Sequence, residues 1–246
     1  MGFEDRLRIV IGDEGLARLA AARVCVYGLG GVGAACAMDL VRSGVGTVVA
    51  VDFDEVQESN LNRLYFGYRD QVGRQKTEVF AEFAHRVNPA VRIEPRASFL
   101  SGEGAAAAVE PGCSAHVDAI DSLNPKVNLL AALAARGEAY VSAMGTAGRL
   151  APERLRLGSF WESSGCPLAR EVRNRLRRLG ATADFPAVWS DEPPARPLPP
   201  EAAGSDAARG APPGRARAVQ GSAPFVPQAA GHLAASWVVR RILGLA

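Results

Sequence analysis

The residues best suited to chemistry in this chain follow short apolar runs. A glycine-rich turn ends the first run, in the sequence V-C-V-Y-G-L-G-G-V-G at residues 24–33, and an alanine-rich helix is predicted directly after it. Bare glycine backbone that leads into a helix offers N–H groups and the positive end of the helix dipole, which together attract anions. Asp52 follows the second run, where a carboxylate can accept hydrogen bonds from ribose hydroxyls. This combination predicts a nucleotide-binding site.

Glycine is required at four positions of the turn for different steric reasons. Gly28 permits the tight turn, and Gly33 allows the helix to pack against the strand. Gly30 and Gly31 let a phosphate approach the backbone closely. Because the same glycines are typical of a dehydrogenase that binds NAD, they do not decide which nucleotide is bound.

Hydrophobic periodicity predicts the elements that position these residues. Helices are predicted at 3–22, 32–42, 73–88, 105–109, 124–136, 167–179 and 228–243, and strands at 24–27, 47–51, 91–94, 116–120, 140–143 and 154–157. This alternation is typical of an α/β, Rossmann-like fold with a doubly wound, mostly parallel sheet. Because parallel strands end at the same edge, Gly28, Asp52 and Asp121 are expected to converge on one crevice.

A length of 246 residues is consistent with a single nucleotide-binding domain that covers residues 1–246. Its predicted parts are an N-terminal helical arm (1–22), a Rossmann-like core (23–160), a basic helix and extension (161–190), a flexible loop (191–223) and a C-terminal helix (224–246). The loop is predicted from a Pro-rich composition with few large apolar side chains. Since no secretory signal and no apolar run of membrane-spanning length is evident, we expect a cytoplasmic protein without stable membrane insertion.

The basic residues are unusual in type. Formal net charge is +2, which creates no overall field that would require nucleic acid. Of 28 basic residues only Lys76 and Lys126 are lysines, which favours a need for a compact ammonium at each position. Lys76 lies at a predicted helix start, where the dipole disfavours a cation and a bound polyphosphate would balance it. Lys126 is equally consistent with support of the site and with a solvated face.

The four cysteines show no C-x-x-C spacing, so no zinc site is expected. Cys166 lies just before a predicted helix, a position that also suits a nucleophile, but a structural thiol is the favoured interpretation. Asp118 is interpreted as support for the site or as a structural cap rather than as a metal ligand.

Five motifs in order along the chain carry a family resemblance: G-L-G-G-V-G, D-F-D-E-V, S-N-L-N-R, R-Q-K-T-E and D-A-I-D-S. Together they resemble the ThiF/MoeB/HesA superfamily of ATP-dependent adenylating enzymes. The resemblance implies that ATP and Mg²⁺ are the cofactors. It implies nucleotide binding by the glycines and by Asp52, Asp54, Asn60 and Gln75, with Asp52 on the ribose and Asn60 on the phosphates.

The resemblance also implies a catalytic set. Arg63 and Lys76 would hold the phosphates, and Asp121 would hold Mg²⁺. Arg6 matches an arginine that reaches into the partner subunit's site in this family, which implies a functional homodimer. An ion pair of Arg63 with Glu55 or Glu58 stays open as the structural alternative. Leu64 is a departure, because the family often has glutamine there.

Within the superfamily the chain resembles one branch most. It lacks the zinc-binding cysteine pairs of other members, and S-A-M-G-T-A-G-R-L-A-P-E-R-L, C-P-L-A-R-E-V-R-N-R-L-R-R and W-S-D-E-P-P resemble the tRNA threonylcarbamoyladenosine dehydratases. That branch adenylates the threonylcarbamoyl carboxylate on a tRNA adenosine, which cyclises with release of AMP. Two alternatives remain: adenylation of the C-terminal glycine of a ubiquitin-like sulfur-carrier protein, which would add a sulfur-relay partner, and a catalytically weak nucleotide-binding scaffold.

The predicted helix at 167–179 offers a surface for tRNA. Arg170, Arg173 and Arg177 fall near one face at helical spacing, with Arg178 beside them. Such a stripe can follow phosphates of RNA, although a solvated surface helix would look the same.

Overall fold

The computed structural model of the protein describes residues 2–98, 104, 107–199 and 219–246. Six α-helices and seven strands are present in these ranges. The helices are α1 (Asp5–Ala21), α2 (Gly31–Arg42), α3 (Lys76–Val87), α4 (Leu123–Arg136), α5 (Pro167–Arg178) and α6 (Phe225–Leu243). The strands are β1 (Arg23–Tyr27), β2 (Thr47–Val51), β3 (Arg92–Arg96), β4 (Ala115–Asp118), β5 (Tyr140–Ala143), β6 (Leu155–Ser159) and β7 (Pro186–Ser190).

The strands form one sheet in the order β3-β2-β1-β4-β5-β7-β6. Every pairing is parallel except that of β6 with β7, which is antiparallel. The chain leaves β1 toward β2 on one side and returns to β4 on the other, so the order reverses between β1 and β4. At such a switch point the loops beyond the carboxyl ends diverge and leave a crevice for a ligand. The predicted α/β Rossmann-like fold is confirmed.

Two apolar layers cover the sheet. One layer includes Val24 and Val26 of β1 and packs against α2 and α6, and the other includes Cys25 and Tyr27 and packs against α4 and α5. This alternation follows from the period of two along a strand, which sends successive side chains to opposite faces. Both faces of β1 are therefore buried, and only its carboxyl end is left for function.

Several boundaries differ from the prediction. The β4 strand ends at Asp118, so Asp121 lies in the following loop rather than at the strand end itself. The strand β7 was not predicted; it begins at a proline, a residue that is depleted in strands. The predicted helix at 105–109 lies partly outside the described residues, and 107–108 form a turn.

The two ends of the segment predicted as a flexible loop, residues 191–223, form hydrogen bonds. Leu198 and Val219 exchange two backbone hydrogen bonds of 3.0 Å. Ala195 donates to the carbonyl of Gly148, and Gly148 donates to that of Gly221. Both ends therefore attach to the loop that follows β5. Residues 200–218, with three of the four arginines of this loop, lie outside the described residues.

One helix is interrupted. Gly12 has φ +72° inside α1, which kinks the predicted arm. Over the residues that the structure describes, no helix combines the length and the apolar composition that a bilayer crossing would require.

Candidate nucleotide-binding and active site

The glycine turn is closed on one side and open on the other. Gly28 has φ +89°, and a Cβ there would lie 2.9 Å from the carbonyl oxygen of Ala119. A Cβ at Gly33 would overlap the carbonyl of Gly28, so the helix could not approach the strand. No described atom lies within 4 Å of a Cβ built at Gly30, which precedes the first residue of α2. The open space therefore lies directly at the helix N-terminus, where an anion is stabilised.

Asp52 connects the glycine turn to the second loop. Its carboxylate accepts hydrogen bonds from the backbone N–H groups of Leu29 at 2.5 Å and Asp54 at 2.8 Å. Burial raises the pKa of Asp52, while Lys76 and the two N–H donors oppose that rise. The predicted acceptor for ribose is thus held rigidly at the end of β2.

Lys76 is the first residue of α3, where the helix dipole disfavours a cation. Two acidic neighbours offset this unfavourable interaction. The ammonium of Lys76 lies 2.9 Å from an oxygen of Asp54 and 3.9 Å from one of Asp52. The Lys76 side chain is 7% exposed, whereas that of Asp54 is 41% exposed. The solvent-accessible side of this ion pair is therefore the side of Asp54.

In the part of the chain that the structure describes, Arg63 forms no ion pair with an acidic residue of its own loop. Its guanidinium donates to the carbonyl of Ser59 at 2.9 Å and to the side chain of Asn62 at 3.0 Å. Glu58 is paired with Arg69 instead, at 2.8 Å. Burial lowers the pKa of Arg63, and the carboxylate of Asp121 opposes this shift. The Arg63 side chain also lies beside the glycine turn, because a Cβ built at Gly31 would be 3.2 Å from the Cγ of Arg63.

Asp121 is exposed in the loop after β4 and accepts a hydrogen bond from Ser122 at 3.3 Å. Among the described residues, no group of three or more His, Cys, Asp or Glu side chains could hold a metal ion. A single exposed carboxylate is nevertheless suited to Mg²⁺, which commonly takes one or two carboxylates together with waters and substrate phosphates. The donor set fits a metal that arrives with a nucleotide.

Asn60 and Gln75 lie on the two sides of the loop between β2 and α3. The Asn60 side chain accepts from the backbone N–H of Gln57, which closes the short 3-10 turn Glu58–Asn60. The backbone of Gln75 forms a bridge with Glu55, and its side-chain oxygen is buried without a hydrogen-bond partner in the described part of the chain.

Arg6 lies on α1 and is exposed. Within the described ranges it makes no hydrogen bond and no ion pair, unlike Arg8, which contacts Glu4, Asp5 and Asp13. The structure of one chain does not bring Arg6 into contact with the other predicted site residues.

Besides Lys76, two basic residues of the described chain are buried, and the sequence did not reveal their environment. Lys126 and Asp118 form an ion pair with no exposed surface, so the alternative of a solvated face for Lys126 is wrong. Arg149, 2% exposed, donates to the carbonyls of Gly145, Gly165 and Glu192. The only indication in the sequence that Arg149 is special was its place in a glycine-containing motif after β5. The amino-acid sequence does not distinguish a buried arginine from an exposed one.

The arginines of α5 differ in environment. Arg173 is half-buried, donates to the carbonyl of Ser163 at 2.7 Å and lies over the ring of Phe160. Arg177 lies over the ring of Trp161, at 5.2 Å from its centroid, and remains exposed with Arg170 and Arg178. The predicted stripe is therefore uneven, because Arg173 is turned toward its own chain.

Cys166 is the N-cap residue of α5. Its sulfur accepts a weak hydrogen bond from the N–H of Ala169 at 3.5 Å, and the residue is 5% exposed. Burial and a capping contact agree with the structural interpretation of this thiol.

The sequence pattern of the ThiF family matches residues 4–245. This chain belongs to the ThiF family. A tRNA threonylcarbamoyladenosine dehydratase of Bacillus subtilis is 30% identical over 240 residues, which are 97% of this chain and 93% of the relative. The enzyme of that name from Escherichia coli is 34% identical over 166 residues, which are 68% of this chain but 62% of the relative.

A solved structure extends the likeness of this ThiF-family chain to its fold. The crystal structure of E. coli tRNA N6-threonylcarbamoyladenosine dehydratase in complex with ATP matches with a TM-score of 0.84 and 28% identity, over 99% of this chain and 98% of the other. The resemblance to the adenylating superfamily and to its dehydratase branch is confirmed.

Proposed function

We propose that this chain is an ATP-dependent enzyme that adenylates the threonylcarbamoyl carboxylate on a tRNA adenosine and promotes its cyclising dehydration. The observation that carries the proposal is the packing of Asp52 and Arg63 against the glycine turn at the switch point of the sheet: Asp52 accepts from the N–H of Leu29, and the Arg63 side chain lies beside Gly31. The likeness to dehydratases over nearly the whole chain supports the substrate class.

The nucleotide would lie across the carboxyl ends of β1, β2 and β4. The carboxylate of Asp52 accepts hydrogen bonds from the ribose, and the open space at Gly30 receives a phosphate at the start of α2. Asp54, Asn60 and Gln75 would contact the nucleotide from the segment between β2 and α3. The side-chain oxygen of Gln75 has no hydrogen-bond partner among the described residues and would accept one from the nucleotide.

The phosphates would be held by cations that the chain already orients. The ammonium of Lys76 keeps its contact with Asp54 and turns a free proton toward a phosphate oxygen. The guanidinium of Arg63 can exchange its hydrogen bonds with Ser59 and Asn62 for charge-assisted ones to phosphate. Asp121 would hold Mg²⁺, which neutralises charge on the phosphates when it is bound.

The chemistry then needs positioning and charge stabilisation more than a protein nucleophile. An oxygen of the substrate carboxylate attacks the α-phosphorus, and the bond to the β-phosphate oxygen breaks with release of pyrophosphate. A nucleophile of the same side chain attacks the activated carbonyl, and AMP leaves with the former carboxylate oxygen. Negative charge accumulates on phosphate oxygens in both steps, where Lys76 and Arg63 stabilise it.

The functional unit is proposed to be a homodimer in the cytoplasm. Arg6 is exposed at the N-terminal arm and free of ion pairs within the described residues, as expected for a side chain that completes the partner's site. The exposed Arg170, Arg177 and Arg178 of α5 are proposed to contact tRNA phosphates, with Arg173 fixing the helix through Ser163. A single domain over residues 1–246 remains a prediction.

The experiment is a pyrophosphate-release assay with ATP, Mg²⁺ and two tRNA preparations that differ only in threonylcarbamoyladenosine. We expect release with the modified tRNA and background rates with the unmodified one. Equal rates would refute the substrate. A ubiquitin-like sulfur carrier supplied in place of tRNA tests that alternative, and ATP binding without any pyrophosphate release would indicate the scaffold.

A further inference from the structure

A buried ionic cluster lies beneath the β4–α4 loop, outside the groups assigned to ATP. Lys126 of α4 donates to Asp118 at 2.5 Å and to the hydroxyl of Ser142 at 3.2 Å, and Ser142 donates to Asp118 at 2.6 Å. All three residues have no exposed surface. We call Asp118, Lys126 and Ser142 the buried triad.

The buried triad binds the backbone of the loop above it. One oxygen of Asp118 accepts from Lys126 and Ser142, and the other accepts from the N–H of Ile120 at 3.1 Å. Ile120 immediately precedes Asp121. The carboxylate is thus satisfied on both oxygens, with one of them fixing the peptide next to the residue that would hold Mg²⁺.

The same loop also forms one wall of the glycine turn. The N–H of Ala119 donates to the carbonyl of Tyr27 at 2.9 Å, and the carbonyl of Ala119 faces Gly28 closely enough to exclude a Cβ. The glycine turn is therefore held through Ala119, whereas the peptide next to Asp121 is held through Asp118.

An ionic cluster is a poor choice for stability alone. Buried ion pairs lose much hydration, and apolar residues of similar volume often stabilise a protein as well or better. Charge retained at this depth therefore favours a role in fixing geometry. Lysine also suits the space, because its compact ammonium reaches a carboxylate and a hydroxyl without the planar width of arginine.

We propose that Lys126, acting through Asp118, is a positioning residue that holds the β4–α4 loop in the geometry required for Mg²⁺ and ATP. This inference rests on the proposed function. A positioning role differs from a purely structural role in one respect. Loss of the ion pair should weaken ATP binding in the presence of Mg²⁺ but not in its absence, whereas a purely structural role would weaken both in proportion to the lost stability.

The test uses calorimetric titration of ATP into the full-length protein with and without Mg²⁺, well below the melting temperature of every variant. The variants are Lys126→Met, which removes the cation, and Lys126→Met with Asp118→Leu, which replaces the ion pair by apolar side chains. Leu130→Ala is the matched control, because Leu130 is fully buried on the same helix but packs in the apolar layer.

We expect both triad variants to bind ATP at least tenfold more weakly than the unchanged protein when Mg²⁺ is present, and within about threefold of it when Mg²⁺ is absent. The double variant keeps the proposal testable if the single one fails to fold, since it leaves no unpaired buried charge. In the Leu130→Ala control both affinities should stay within threefold of the unchanged protein.

Equal Mg²⁺-dependent affinity in the double variant and the unchanged protein would overturn the positioning role. A parallel loss in the Leu130→Ala control would overturn it too, because general loosening of α4 would then explain the result. Absence of ATP binding by the unchanged protein would instead contradict the proposed function. The titrations therefore distinguish the two failures.

Discussion

The two lysines of the chain occupy opposite kinds of environment at the same edge of the sheet. Lys76 contacts Asp54, a carboxylate whose side chain is 41% exposed, whereas Lys126 contacts Asp118, which has no exposed surface. Solvent can therefore reach the first ion pair but not the second. The difference teaches that charge type alone does not define function: the exposure of the partner decides whether a cation can bind substrate or can only hold structure.

The first prediction sharpens this comparison at the closed pair. Replacing Lys126 by Met leaves Asp118 buried without its cation, so the free energy of unfolding should fall by about 3–5 kcal/mol. Chemical denaturation monitored by tryptophan fluorescence measures this loss. Adding Asp118→Leu should recover part of it, and an unchanged midpoint in the single variant would contradict the closed environment of this pair.

The second prediction concerns the open pair. Lys76→Met should lower pyrophosphate release about 10²- to 10³-fold, the usual effect of removing one preorganised donor to a charged transition state. Its melting temperature should change less than that of Lys126→Met, because Asp54, the nearer of its two carboxylates, can be solvated in place while Asp52 lies farther away at 3.9 Å. A loss of stability as large as that of Lys126→Met would erase the distinction between the two lysines.

The third prediction extends the contrast to two glycines of the same turn. Gly33→Ala places a methyl group into the carbonyl of Gly28 and should destabilise the fold. Gly30→Ala meets no described atom within 4 Å, so the melting temperature should be preserved while ATP binds at least tenfold more weakly. Thermal melting and ATP titration measure both effects. Unimpaired ATP binding in Gly30→Ala would show that the open space does not hold a phosphate.

The smallest effect is expected from the pH dependence of Asp52. Burial raises the pKa of Asp52, so the protonated form is favoured more in the folded state than in the unfolded state. The contribution of Asp52 to stability is complete below its unfolded pKa, 3.8, and is lost as the pH rises through the folded pKa. Relative to the unchanged protein, Asp52→Asn should therefore gain in melting temperature as the pH rises through this window. A constant difference at every pH would contradict the prediction.

Much of this architecture could be predicted from local pattern. Strands 47–51 and 140–143 have the predicted bounds, because a short run of β-branched and apolar residues between turn signals is a strong indication. The convergence of Asp52 with the glycine turn followed from the shared edge of parallel strands. These inferences needed the order of residues along the chain and little tertiary information.

Other features depended on tertiary contacts that a linear sequence does not contain. The burial of Lys126 is decided by Ser142 and Asp118, which lie on two other elements. Arg173 donates a hydrogen bond to the carbonyl of Ser163, and Arg149 donates to carbonyls of three separate segments. The sequence identifies each arginine and lysine, but it does not show the contacts that decide whether the side chain is exposed or buried.

The most direct test of the account is a crystal structure of the chain with a non-hydrolysable ATP analogue and Mg²⁺. We expect the phosphates over Gly30, with Lys76 and Arg63 within hydrogen-bond distance of phosphate oxygens and Mg²⁺ at the carboxylate of Asp121. A nucleotide bound elsewhere, or bound here with Lys76 and Asp121 remote from the phosphates, would contradict the proposed site.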